Sequence, residues 1–122
     1  MDNLDRIAEQ QLEKLTVKNR VRDEALLSSR TLIRYCADAI RAAHREEWDA
    51  ARALLATARD AAEELRHTVA DHPDIYYAGY TQDAMKEFAE ASITYAIIRD
   101  EPLPEPEALG VETAAYLNGM GE

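Results

Sequence analysis

Apolar and small side chains recur at helical spacing along the first 45 positions of the chain. A repeat near 3.6 residues, close to the coiled-coil period, is typical of an amphipathic helix. We therefore predict one helix from about Asn3 to Arg45. Such a helix is longer than those of ordinary globular domains, so we expect it to pack against other long helices or another subunit. Its predicted inner side consists of Leu26, Ile33, Ala37, Ile40 and His44, flanked by Ser29, Cys36 and Ala43.

The pattern predicts three further helices. The second begins near Glu46 to Trp48 and ends before Pro73, because proline cannot continue a helix and disfavours the helical conformation in the residue before it. The third begins at Thr81, the expected N-cap, and ends near Arg99. Residues 100–106 are proline-rich and are predicted to be extended. A short fourth helix is predicted from about Glu112 to Asn118.

Composition supports an all-α fold. Apolar residues make up 47% of the 122 positions, and glycine and proline number only four each. Frequent Ala, Leu, Glu and Arg favour helices, whereas sparse β-branched residues argue against a large sheet. We expect residues 1–122 to form a single helical domain. The ending at residues 119–122 has no tail-like composition, so we expect the bundle to be incomplete after its fourth helix.

The formal charge is -10, and the basic residues are mostly arginine, with lysine only at positions 14, 18 and 86. This balance suits either a high-salt cytoplasm or an ordinary acidic protein, and it argues against indiscriminate nucleic-acid binding while leaving a local basic groove open. The single cysteine, Cys36, allows no intramolecular disulfide, which favours a reducing compartment. The first 15 residues lack a signal-peptide apolar region, and no apolar run reaches membrane-spanning length. We expect a cytoplasmic protein without a membrane partner.

An acidic arc on the third helix is the first candidate site. Asp83, Glu87, Glu90 and Thr94 fall on one narrow side of that helix. Carboxylates at i and i+3 lie about 5–6 Å apart and repel each other unless a cation such as Mg²⁺ lies between them. The alternative is a solvated acidic face, which is the usual meaning of such a spacing. Ile93 and Ile97 beside the arc favour a partly covered cavity instead.

Two other groups are candidates for nucleic-acid binding. Four arginines on the first helix fall within a stripe about 60° wide, and guanidinium groups suit phosphate. The alternative is pairing with nearby carboxylates. Three tyrosines before the third helix can stack on bases, although such clusters more often fill a core or an interface. The arginines are Arg30, Arg34, Arg41 and Arg45, and the tyrosines are Tyr76, Tyr77 and Tyr80.

Four segments together resemble one family. Residues 84–91, AMKEFAEA, are similar to the (Q/K)E(Y/F)xEA motif of translin-associated factor X and its archaeal translin-like relatives. Residues 103–111 resemble the linker that follows that motif, and residues 116–119, YLNG, resemble the family's YL(N/L)G signature. Residues 40–45 are similar to a segment of the family's first helix. The resemblance runs from about Glu24 to the end of the chain.

The resemblance implies a translin-type helical bundle whose subunits assemble into hollow homo-oligomers, commonly octamers. Catalytic members are Mg²⁺-dependent endoribonucleases that cleave RNA inside the shell, so Mg²⁺ or Mn²⁺ is the implied cofactor. Their motif glutamates correspond to Glu87 and Glu90. A third acidic ligand, usually aspartate, corresponds to Glu122. Family members continue with several more helices, so the resemblance covers the first part of the bundle.

Three hypotheses follow. In the first, the chain is a metal-dependent endoribonuclease subunit in which Glu87, Glu90 and Glu122 bind the metal and the four arginines hold the RNA backbone. In the second, it is a non-catalytic protein that binds RNA or single-stranded DNA, as translin does. Translin subunits lack the glutamate pair, which favours the enzyme. In the third, it is a structural helical module for a partner chain.

Overall fold

The computed structural model of the chain describes residues 2–122, which form six helices and no strand. The all-α architecture predicted from the sequence is therefore confirmed. The two helices not predicted, α3 and α5, are single turns that each begin at a proline. Within the described part of the chain, no helix is long and apolar enough to cross a membrane. The helices are α1 (Asp2–His44), α2 (Trp48–Thr68), α3 (Pro73–Tyr76), α4 (Gly79–Ile98), α5 (Pro106–Leu109) and α6 (Thr113–Met120).

The buried side of α1 is turned by about one residue from the predicted stripe. The predicted Ile33 and Ile40 are only partly buried and pack at the margin of the core, and His44 is exposed. Small side chains occupy the contact line instead, because they let neighbouring helices approach closely. The buried positions are Ala25, Ser29, Leu32, Cys36, Ala39, Ala42 and Ala43.

The first part of α1 extends beyond the bundle as an arm. Every side chain from residue 2 to residue 17 is exposed, including Leu4, Ile7, Leu12 and Leu15. The first long-range polar contact is the ion pair between Lys18 Nζ and Asp74 Oδ1, at 2.7 Å. An isolated helical stretch of this length is marginally stable in water. The arm therefore presents an apolar surface that nothing within residues 2–122 covers.

Helix α4 is the centre of the bundle. It contacts α1, α2, α3 and α6, and it buries residues on several sides. The largest buried side chains around it are Leu32 of α1, Leu65 of α2, and its own Phe88 and Met85. A central helix positions any side chain at its edge with little freedom, because the core fixes its rotation.

The predicted N-cap of α4 is wrong. The helix begins at Gly79, with Ala78 as the extended residue before it. Thr81 is fully buried within the first turn, and its hydroxyl donates a hydrogen bond of 2.8 Å to the carbonyl oxygen of Ile75. The threonine thus ties α4 to α3 rather than capping a helix. Local spacing alone does not distinguish these two uses of a hydroxyl.

A network of hydrogen bonds fastens the segment from α5 to α6. The Arg66 guanidinium donates to the carbonyl oxygens of Leu109 and Gly110 at 3.1 and 3.3 Å. Gly110 has a φ of 69°, a left-handed conformation suited to glycine at a helix end. The buried Tyr116 hydroxyl donates to the Pro104 carbonyl at 2.7 Å. These bonds fasten the α5 segment to α2 and α6 to the proline-rich linker.

Candidate metal centre

Two glutamates on α4 form the base of the site. Glu87 and Glu90 are three residues apart, so they project from the same side of the helix. Both are only partly exposed. The buried thiol of Cys36 on α1 is close enough to feel both negative charges, which together with burial raise its pKa to about 12. The pair therefore lies at the edge of the α1–α4 contact rather than on an open surface.

A close crossing of α6 over α4 supplies the third carboxylate. At Gly119, a hypothetical Cβ would lie 3.0 Å from the Lys86 carbonyl oxygen and 3.1 Å from the Glu90 amide nitrogen. Only glycine permits that approach of backbone to backbone. Three residues further on, Glu122 reaches the pair. One carboxylate oxygen from each of Glu87, Glu90 and Glu122, here called the carboxylate trio, lies within 4.8 Å of the others.

The ammonium of Lys86 lies against the carboxylate trio. Its Nζ is 2.9 Å from Glu122 Oε1 and 3.6 Å from Glu87 Oε1. The hydrogen bond to Glu122 raises the pKa of Lys86, and the same bond lowers the pKa of Glu122. Lys86 therefore balances one of the three negative charges.

Glu90 is the member of the trio whose ionised form is disfavoured most. Burial raises its pKa to about 7, with further increases from Glu87 and then Glu122. At neutral pH a proton is therefore shared within the trio, chiefly on Glu90. Repulsion between neighbouring carboxylates favours the protonated form of one of them. The same repulsion favours binding of a divalent cation, which can replace the proton.

The donor set fits a hard divalent cation. Carboxylate oxygens are ligands that Mg²⁺ prefers, with coordination distances of about 2.0–2.1 Å. A point between three atoms at the observed spacing is no more than about 2.8 Å from each, so small side-chain rotations close the coordination. The exposed side of Glu122 leaves room for water ligands. The remaining arc residues contribute less: Asp83 is exposed, and Ile97, expected to help cover the site, is 65% exposed, whereas Ile93 is buried.

The arginine stripe lies on another side of α1. Arg30, Arg34, Arg41 and Arg45 are all exposed. Arg41 pairs with Asp38, and Arg34 lies over the neighbouring Tyr35 ring. At 3.6 residues per turn, the stripe is about 120–180° around the helix from Cys36, which marks the side facing the carboxylate trio. Within one subunit the arginines and the trio therefore face different directions, and phosphate binding by the arginines stays a prediction.

The three tyrosines have different surroundings. The Tyr76 hydroxyl donates to Glu112 Oε1 at 2.8 Å, and burial together with that carboxylate raises its pKa to about 12. Tyr80 packs against the core. Tyr77 is 62% exposed and meets the Tyr76 ring edge-on at 4.7 Å. Of the three, Tyr77 is the ring most open to a stacked base.

Two residues of the site escaped sequence reasoning. Lys86 and Gly119 were visible only as members of the motifs AMKEFAEA and YLNG. Gly119 directly follows the predicted fourth helix, where glycine is the usual residue at a helix end, so its presence was no separate sign of the close backbone approach. Lys86 also lines a cleft of about 290 Å³ between α4 and α6, which Tyr77 and Asn118 border.

This arrangement of helices is that of a known structure. The crystal structure of apo-NeC3PO superposes on the whole chain with a TM-score of 0.83 at 24% sequence identity. The translin-type all-α fold expected from the motifs is thereby confirmed. The chain spans 62% of the length of that protein's chain. No protein-family model matches the sequence, and no curated protein matches it either.

Proposed function

We propose that this chain is a subunit of a Mg²⁺-dependent endoribonuclease that binds and cleaves RNA within an oligomeric shell. The observation that carries the proposal is the convergence of Glu87, Glu90 and Glu122 within 4.8 Å on a translin-type fold. The sequence resemblance assigns ligands to these same positions. A solvated acidic face would not need a glycine crossing to bring a carboxylate from another helix to the pair.

The residues of the trio have distinct tasks in this proposal. Glu87 and Glu90 hold Mg²⁺ or Mn²⁺ from the rigid central helix, and Glu122 completes the protein ligands from α6. A bound divalent cation lowers the pKa of a coordinated water and neutralises charge on a phosphate. Glu90, whose pKa is raised to about 7 by burial and by Glu87, would bind the cation in its ionised form.

The cleft between α4 and α6 is the proposed path for RNA. Its lining includes the exposed Tyr77, the two carboxylates Asp83 and Glu112, and Lys86, which reaches Glu122 of the trio. A tyrosine ring at the entrance can stack on an unpaired base, which favours single-stranded RNA. The exposed arginines of α1 hold backbone phosphates, either of the same RNA where it leaves the cleft or of RNA bound mainly by another subunit.

The exposed apolar side chains of the arm support the proposed assembly into a shell. Leu4, Leu12 and Leu15 are 59%, 64% and 56% exposed, which is unusual for a helix that stays in water. A second subunit is the proposed cover for this surface. The chain functions in the cytoplasm under this proposal, since its buried free thiol, Cys36, needs no oxidising compartment.

The test is cleavage of labelled single-stranded and duplex RNA with Mg²⁺, repeated with EDTA. We expect single-stranded RNA to be cut with Mg²⁺ and cleavage to stop with EDTA. Glu87→Gln and Glu90→Gln should abolish cleavage but keep RNA binding, whereas Glu63→Gln, an exposed glutamate of α2, should change neither. Undiminished cleavage by both site variants refutes the metal centre, and binding without any cleavage supports the non-catalytic alternative.

A further inference from the structure

The side chain of Lys86 lies beside two of the three carboxylates that a cation would need. Its ammonium lies 2.9 Å from a Glu122 oxygen and 3.6 Å from a Glu87 oxygen, and only 22% of the side chain is exposed. Glu122 offers its Oε1 to this ammonium as a hydrogen-bond acceptor. Two of the three carboxylates, Glu87 and Glu122, thus already face a positive charge that belongs to the chain.

A divalent cation and this ammonium would be drawn to the same two carboxylates, Glu87 and Glu122. An ion coordinated by Glu87 and Glu122 would lie within about 5 Å of an ammonium that is hydrogen-bonded to the same carboxylate. Like charges at that separation repel substantially even near a protein surface. One of the two must therefore move, and Lys86 is the one on a flexible stem.

We propose that Lys86 is a built-in competitor for the metal: it holds Glu122 beside Glu87 before metal binds and releases Glu122 when a divalent cation enters. This inference rests on the proposed function, because it assigns a role to Lys86 at the same metal site. After release, the ammonium turns toward the cleft between α4 and α6, whose wall it already forms. There it faces Asp83 and Glu112, which line the same cleft and can accept its hydrogen bonds.

If Lys86 instead pre-organised the carboxylates for metal binding, its removal would change the metal affinity in the opposite direction. If the ammonium only fixed the carboxylates in a ligand-ready geometry, its removal would loosen them and weaken metal binding. If it competes with the metal, its removal strengthens metal binding, because the repulsion and the hydrogen bond to be broken both disappear. The direction of the affinity change therefore separates competition from pre-organisation.

The experiment is calorimetric titration of the full chain with MnCl₂ and MgCl₂. Lys86→Met keeps the length and apolar stem of the side chain but removes its charge. We expect this variant to bind Mn²⁺ about tenfold more tightly than the wild type, from Coulomb repulsion in a largely hydrated site. Lys14→Met, on the exposed arm, is the matched control and should leave the affinity unchanged.

Chemical labelling gives a second readout on the unmutated protein. The chain has three lysines, at positions 14, 18 and 86, so acetylation with a water-soluble reagent is mapped simply by mass spectrometry. Lys86 should be acetylated faster after Mg²⁺ is added, because its ammonium leaves Glu122. Lys14 should be acetylated at the same rate in both conditions.

The outcomes separate this inference from the proposed function. The competitor role is overturned if the wild type binds metal and Lys86→Met binds it equally or more weakly. It is also overturned if Mg²⁺ leaves the labelling of Lys86 unchanged. Neither result contradicts the metal centre itself. Metal binding by Lys86→Met alone supports the competitor role and contradicts metal-dependent activity of the wild type. No binding by either protein overturns both.

Discussion

Replacing Glu90 with glutamine should stabilise the metal-free protein at neutral and alkaline pH. Glutamine resembles a protonated glutamate, and the trio favours the protonated form of Glu90 because burial and the neighbouring Glu87 raise its pKa. The wild-type protein keeps this carboxylate although it lowers the free energy of unfolding, as expected of a residue that serves a functional site. The same substitution should remove a metal ligand.

The magnitude follows from the shift in pKa. A rise from 4.5 to about 7 corresponds to about 3 kcal/mol in the free energy of unfolding at 1.36 kcal/mol per unit. Because Glu90 is only partly buried, solvent screening reduces this to about 1–2 kcal/mol. The protonated form favours folding, so the stabilising contribution is complete below about pH 4.5 and is lost as the pH rises through about 7. The advantage of the glutamine variant should grow over that interval and level off above it.

Urea denaturation in EDTA at pH 5, 6, 7 and 8 measures this advantage. At pH 5 the expected gain is about a quarter of that at pH 8, since Glu90 is still mostly protonated in the folded protein. Glu63→Gln, on the exposed side of α2, controls for the loss of one negative charge and should show no comparable trend. A Glu90→Gln gain that is absent at pH 8, or that falls with rising pH, refutes the electrostatic account of the trio.

Three further predictions concern the residues that build the site. Gly119→Ala should lower the free energy of unfolding by about 1–3 kcal/mol, because the added Cβ would meet the α4 backbone at 3.0 Å. Urea denaturation measures this loss, and Gly79→Ala is the control because its Cβ would meet nothing within 4 Å. Cys36 should resist a disulfide reagent at pH 8 until urea unfolds the chain, since burial raises its pKa to about 12, and rapid labelling of the folded protein would contradict this. Tyr116→Phe should cost about 1 kcal/mol through the lost 2.7 Å hydrogen bond, and an unchanged melting curve would show that the bond contributes nothing.

The long helices were predictable because their signals are local. The apolar period identified α1 and α2, but α2 ends at Thr68, before the end predicted from Pro73, which instead begins α3. The helix ends were less predictable. Glu46 and Asp100 adopt left-handed φ values of 60° and 55°, at positions where glycine is the usual signal. Their backbone hydrogen bonds close the ends of α1 and α4 without that signal.

Only the part of the site that lies on one helix was predictable from local spacing. Glu87 and Glu90 share a helix, so their proximity follows from a spacing of three. The distance of Glu122 from them depends on how closely α6 crosses α4, which no local pattern specifies; the family resemblance identified it instead. The role of Lys86 depends on that same crossing, since its partner Glu122 is 36 positions away. Tertiary contacts, rather than propensity, complete the trio.

The most direct test of the metal centre is anomalous diffraction from crystals soaked in MnCl₂. The account predicts one strong anomalous peak within about 2.0–2.6 Å of carboxylate oxygens from Glu87, Glu90 and Glu122, with Lys86 turned away from Glu122. The peak should disappear in crystals of Glu90→Gln soaked in the same way. A peak elsewhere, or none at the trio in the wild type, would contradict the assignment of these three glutamates as a metal site.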